Sequence, residues 1–178
     1  NGAIKDIKKK FNQDKVFLLT TPKYAEFMSE CPYLDGVLID KRLPRWNLFY
    51  LNSLKKNLER FYFTKVFDLQ NSSRTNFYKR FLFKKEIFWS NSISFTSNDE
   101  AKNEMNIPVL DRMEKQLKRA GIDDVSFTKN PDLSWAIKNV KNILNQNFEG
   151  NYILIFPFCS PKLTKKKMAI LFRFNKFN

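Results

Sequence analysis

The chain has 178 residues, 43% of them hydrophobic and 19 of them phenylalanine, which is enough apolar material for one domain with a proper core. Its 32 Lys and Arg against 18 Asp and Glu leave a net charge of +14, and it contains two cysteines and no histidine. That composition excludes a Cys/His metal site and any catalysis that needs an imidazole base.

Short apolar strands alternate with amphipathic helical stretches, the pattern of a parallel sheet with crossover helices. Residues 3–11 predict a helix with Ile4, Ile7 and Phe11 at i, i+3 and i+7. A strand follows over 15–20, then a helix over 24–29 stopped by Pro32, then a strand over 36–39. Residues 48–61 predict a longer helix, with Leu51, Leu54, Leu58 and Phe61 on one face and Lys55, Lys56 and Arg60 opposite. A strand over 65–69 leads through a polar turn into another helix, and a strand over 86–89 follows. Residues 90–103, rich in Ser and Asn, read as a long surface loop. A helix is expected over 106–120, with Val109, Leu110, Met113 and Leu117 as its apolar stripe and Gly121 as its stop. Another is expected over 133–147, capped by Asp132 or Ser134, with Trp135, Ile137, Val140, Ile143 and Leu144 on its buried side. A last strand falls at 152–155. Cys31 and Cys159 lie far apart, and two reduced, buried thiols are the expected state.

The most informative stretch is Asp68-Leu69-Gln70-Asn71-Ser72-Ser73-Arg74-Thr75, at the junction of a strand and a helix. Ser72 or Ser73 is placed to cap that helix, and Arg74 lies in its first turn. Free backbone N–H groups, hydroxyls and a guanidinium together suit an anion such as phosphate or carboxylate. The alternative is an ordinary connection whose Arg74 is solvated. Asp68, at the strand end, is expected to hold the turn rather than to move a proton. Cys159 has no histidine to activate it as a nucleophile.

The same eight residues resemble the D-L-Q-x-S-x-[RK]-[ST] segment of the ADP-heptose:lipopolysaccharide heptosyltransferases, glycosyltransferase family 9. Lys15-Val-Phe-Leu-Leu-Thr-Thr-Pro-Lys-Tyr24 and Pro32-Tyr-Leu-Asp-Gly-Val-Leu-Ile-Asp40 resemble that family's second and third strand units, in the same order. Tyr152-Ile-Leu-Ile-Phe-Pro-Phe-Cys-Ser-Pro-Lys162 resembles the strand and loop that open its second domain. The resemblance implies an α/β fold: a Rossmann-like parallel sheet with flanking helices, the amino-terminal half of a GT-B glycosyltransferase. It divides the chain into an acceptor-binding domain over 1–147 that lacks its first strand, and the start of the donor domain over 148–167. Residues 168–178 are expected to be an out-of-frame tail. AT-rich codons for them, shifted by one base, spell the family's Trp-Pro followed by an amphipathic helix.

The implied activity is inverting, metal-independent transfer of a sugar from ADP-heptose or a similar nucleotide sugar, with no cofactor, to a lipopolysaccharide core acceptor. The resemblance places acceptor contacts at Gln70, Asn71, Ser73 and Arg74, and donor contacts at Ser160 and Lys166. The catalytic base is unassigned, because the family carries it on a loop ahead of the first helix, and this fragment is expected to be inactive alone. A cytoplasmic location, peripheral to the anionic inner membrane, is implied, and the positive charge suits it. Codon bias, nucleic-acid binding and membrane attraction all compete to explain that charge. The alternative function is a non-catalytic basic α/β module binding nucleic acid or anionic membrane. No recognition-helix, ribonucleoprotein or zinc-finger pattern points to specific nucleic acid.

Overall fold

A computed structural model of the chain describes residues 2–91 and 107–136. In chain order these form α1 (Gly2–Lys10), β1 (Phe17–Thr20), α2 (Pro22–Ser29), β2 (Gly36–Ile39), α3 (Leu48–Glu59), β3 (Lys65–Asp68), α4 (Ser73–Phe81) and β4 (Phe88–Asn91). After the undescribed stretch come α5 (Val109–Arg119), the short α6 (Ser126–Lys129) and a 3₁₀ turn at Ser134–Ala136.

The architecture is mixed α/β. β1 pairs in parallel with β2, Phe17 opposite Gly36 and Thr20 opposite Ile39. β3 pairs in parallel with β4, Lys65 opposite Phe88 and Asp68 opposite Asn91. Parallel neighbours need a crossover, and α2 and α4 supply one each, so the described chain contains two β-α-β units joined through α3. A cavity of about 900 Å³ is lined by every residue of β1 and of β3.

Two apolar clusters hold these units. Leu51, Leu54 and Leu58 of α3 pack with Tyr78 and Leu82 from α4 and its end, and Leu19 and Leu38 of the first sheet lean on them. Ala3 and Ile7 of α1 pack with Leu117 of α5 and with Ile122, covered by Phe67 and Val16. α1 also crosses α6 closely. A Cβ on Gly2 would lie 1.9 Å from the Phe127 carbonyl oxygen, so glycine is required by contact there.

The elements follow the periodicity of the sequence with small shifts. β4 runs Phe88–Asn91, two residues later than the expected 86–89, so Ser90 and Asn91 belong to a strand rather than to the expected loop. The expected stripe of α5 is only half buried. Leu117 is fully buried, whereas Val109 and Leu110 are exposed, because the carboxyl-terminal half of the helix makes the core contact. Phe61, expected on the buried face of α3, lies beyond the helix end and is partly exposed. Cys31 is buried with a free thiol. The expected strand at 152–155, most of the helix over 133–147, and Cys159 lie outside the described residues, as do residues 168–178.

Two buried polar side chains fasten helices where a periodic pattern shows nothing. Asp6 of α1 accepts from the Phe127 amide at 3.1 Å and the Thr128 hydroxyl at 2.6 Å. Gln116 of α5 donates through Nε2 to the Asp68 carbonyl at 3.1 Å and the Ser90 carbonyl at 2.9 Å, tying α5 to the ends of β3 and β4.

A candidate anion site at the head of α4

The turn after β3 is built by Asp68. Its buried carboxylate accepts from the amides of Gln70 at 3.1 Å and Asn71 at 2.9 Å. The Asn71 side-chain amide returns a bond of 3.0 Å to the Asp68 carbonyl, and Asn71 sits at φ 48°, a left-handed conformation that asparagine tolerates. This geometry aims the chain into α4 with Ser72 as the N-cap. The Ser72 hydroxyl accepts from the Thr75 amide at 3.2 Å, and the Thr75 hydroxyl accepts from the Ser72 amide at 2.9 Å. The Asn76 amide bonds to the Ser72 carbonyl. The amides of Ser73 and Arg74 therefore remain as the first-turn donors without a backbone partner among the described residues.

The loop of residues 40–47 leaves β2 at the same end and closes over this turn. Asp40 is its anchor. Its buried carboxylate accepts from the Tyr50 hydroxyl, from the Tyr78 hydroxyl at 2.8 Å and from the Arg42 amide at 2.7 Å. Burial pushes both phenols above the ordinary tyrosine range, and the bond to Asp40 adds to the rise. Arg74 locks the loop from the other side. Its guanidinium donates to the Leu43 carbonyl at 3.1 Å and to the Tyr78 hydroxyl at 2.8 Å. The bond to Tyr78 raises the pKa of Arg74 further.

Two other guanidinium groups reach the head of α4. Arg42 donates to the Gln70 side-chain carbonyl at 2.7 Å, and Arg45 donates to the Ser73 hydroxyl at 2.8 Å. Both are exposed and bonded to neutral partners, and no salt bridge among the described residues engages them. The result is a concentration of positive charge beside two free helix amides.

Of the residues expected from sequence, Gln70, Ser73 and Arg74 come together here. Asn71 is committed to the turn, and Arg74 to carbonyls of the 40–47 loop, so its direct partners are protein atoms. Ser160 and Lys166 lie outside the described residues. Arg42, Arg45, Asp40, Tyr50 and Tyr78 were not expected. The available signal was the Arg42-x-x-Arg45 spacing in the loop that follows the strand over 36–39. Chemically the site can bind and orient an anion. Both oxygens of Asp40 are occupied by hydrogen-bond donors, so it is not free to take a proton from a substrate, and Asp68 spends Oδ1 on holding the turn. Among the described residues no group of three or more His, Cys, Asp or Glu is placed to hold a metal.

No family model, curated protein or solved structure matches this chain.

Proposed function

We propose that this chain is the acceptor-binding part of an inverting, metal-independent glycosyltransferase of heptosyltransferase type, with the Rossmann-like, amino-terminal half of a GT-B enzyme as its finer fold. The observation that carries the reading is the convergence of Arg42 and Arg45 on Gln70 and Ser73 at the amino end of α4. In open parallel sheets ligands bind beyond the carboxyl ends of the strands, and both loops of this site start there. A sugar acceptor bearing phosphates and carboxylates matches two forked guanidinium groups and two free amides. Arg74 then serves as a positioning residue that fixes the loop carrying Arg42 and Arg45. The donor would be a nucleotide sugar such as ADP-heptose, held by Ser160 and Lys166, and the base would come from residues other than Asp40 and Asp68.

The test is isothermal titration with a deacylated lipopolysaccharide core oligosaccharide, the soluble form of such an acceptor. Arg42→Ala with Arg45→Ala is expected to weaken binding by at least about 100-fold, since each lost charge-assisted bond is worth about 1.5–3 kcal/mol net of hydration and about 1.4 kcal/mol is tenfold. Absence of binding by the wild-type chain, together with a salt-dependent affinity for generic DNA, would instead support a basic nucleic-acid module.

A further inference from the structure

The 40–47 loop that carries the two arginines also holds large apolar side chains out in water. Trp46 is 82% exposed, and Leu48 and Phe49, in the first turn of α3, are 71% and 93% exposed. Single exposed apolar residues are ordinary, but three within four positions form a patch. A floppy loop could fold such side chains inward. This one is tied down by Asp40 on Tyr50 and Tyr78, by Arg74 on the Leu43 carbonyl, and by Asn47 capping α3 through the Tyr50 amide at 2.9 Å. The display is therefore built into the fold.

Charge says what the patch meets. Lys41, Arg42 and Arg45 flank the three apolar residues and are exposed, while the one acid of the loop, Asp40, is buried among hydroxyls. Aromatic and aliphatic tips framed by Lys and Arg are the composition of surfaces that settle at the boundary between lipid headgroups and acyl chains. A protein partner of ordinary surface composition would leave three cations to be desolvated, whereas an anionic bilayer takes the cations in its headgroup layer and the apolar tips below it.

We propose that residues 41–49 form a membrane-docking element that inserts Trp46, Leu48 and Phe49 into the interface of an anionic lipid bilayer, with Lys41, Arg42 and Arg45 on the headgroups. The element locates the contact at the loop beside the anion site rather than in the diffuse charge of the chain. It shares Arg42 and Arg45 with the proposed acceptor site and adds Trp46, Leu48 and Phe49, so vesicles without oligosaccharide test the docking and the soluble oligosaccharide without lipid tests the acceptor site.

The experiment titrates the chain with vesicles of phosphatidylglycerol and phosphatidylcholine, and with vesicles of phosphatidylcholine alone. Emission of the wild type is compared with that of Trp46→Phe. Binding to the anionic vesicles is expected to shift the Trp46 emission to the blue, with quenching by brominated acyl chains. Trp46→Ser with Phe49→Ser is expected to lower the partition coefficient at least about tenfold. Arg42→Gln with Arg45→Gln is expected to lower it on anionic vesicles by about fivefold per charge. The serine variants alter exposed positions, and an unchanged thermal midpoint verifies their fold. Partition that survives in the serine variant would show attraction by bulk charge and overturn the proposal. So would a wild type whose Trp46 emission ignores anionic vesicles, or vesicle-free self-association abolished by the same substitutions, which would make the occupant a second copy.

Discussion

Replacing Asp40 by alanine removes the anchor of the candidate site and puts a number on it. The carboxylate accepts three donors: the Tyr50 hydroxyl, the Tyr78 hydroxyl and the Arg42 amide. Arg42 lies in an exposed loop, so its amide regains water at little cost. The two phenols are different, because Tyr78 is buried and Tyr50 is half-buried. A hydrogen bond to a charged group contributes about 1.5–3 kcal/mol, and stranding a buried donor costs about as much as the bond. Asp40→Ala should therefore destabilise the domain by about 3–5 kcal/mol, a large share of a typical total of about 5–15 kcal/mol. Asp40→Asn keeps one acceptor oxygen and should cost roughly half. Urea unfolding followed by far-ultraviolet dichroism measures both. Spectrophotometric titration of the tyrosines gives an independent readout. The bond to Asp40 raises both phenols, so its removal should let Tyr50 and Tyr78 ionise at lower pH than in the wild type, burial still holding them above an exposed tyrosine. A loss below about 1 kcal/mol with an unchanged tyrosine titration would refute this account of the loop.

Leu117→Ala, at a fully buried position between α1 and α5, should cost about 2–5 kcal/mol in urea unfolding, with loss growing with the cavity left behind. Gly2→Ala should cost about 1–3 kcal/mol, because its methyl group meets the Phe127 carbonyl and α1 must move off α6; equal stability would mean that the crossing is looser than described. Acid should weaken the α1, α5 and α6 region first. Lys118 and Lys129 hold Glu114 down to about 2 from an ordinary 4.5, and Lys9 holds Asp124 down to about 2 from 3.8. With folded values depressed, these contributions are complete above the ordinary carboxylate range and are lost as pH falls toward 2. Asp124 is exposed and Glu114 partly so, so added salt should shrink the effect, and stability should be nearly flat between pH 6 and 8 (about one unit either side of 7), where no histidine titrates. A thermal midpoint that rises on acidification from pH 5 to 3 (approximate limits of the carboxylate window) would contradict the sign.

Periodicity in the sequence carries most of the elements. The leucines of α3 and the isoleucines of α1 recur at helical spacing and are buried as that spacing requires. The strand segments at 36–39 and 65–69 are nearly the observed strands, since short β-rich runs bounded by turn residues leave little latitude. What failed has a common cause. Pattern reading treats a polar residue as solvated, so Asp6 and Gln116, which fasten helices from inside, carry no signal. It also treats every apolar residue of a stripe alike, so it cannot know that only the end of α5 reaches the core. The site was legible at Gln70, Ser73 and Arg74, because a cap and a strand end are local. Arg42 and Arg45 are distant in sequence from α4, and only tertiary contacts between the loop after β2 and the turn after β3 bring them to it. Asp40 and Asp68 show the kinship of the two loops. Each closes a strand and accepts the amide two residues ahead, a local pattern that the sequence carries at both positions.

The cavity lined by β1 and β3 makes the backbone of these strands two-faced. The bond from the Asp40 amide to the Thr20 carbonyl points Thr20, and by alternation Leu18, toward β2. The bond from the Phe88 amide to the Thr64 carbonyl points Thr64 and Val66 toward β4. Phe17 and Leu19, with Lys65 and Phe67, then turn their peptide groups to the cavity, where no strand among the described residues receives them. Along each strand, amide protons locked in a ladder thus alternate with amide protons open to exchange with water. The strands are stiff on one side only, and the helices around them, more than the ladders, keep the two β-α-β units in shape.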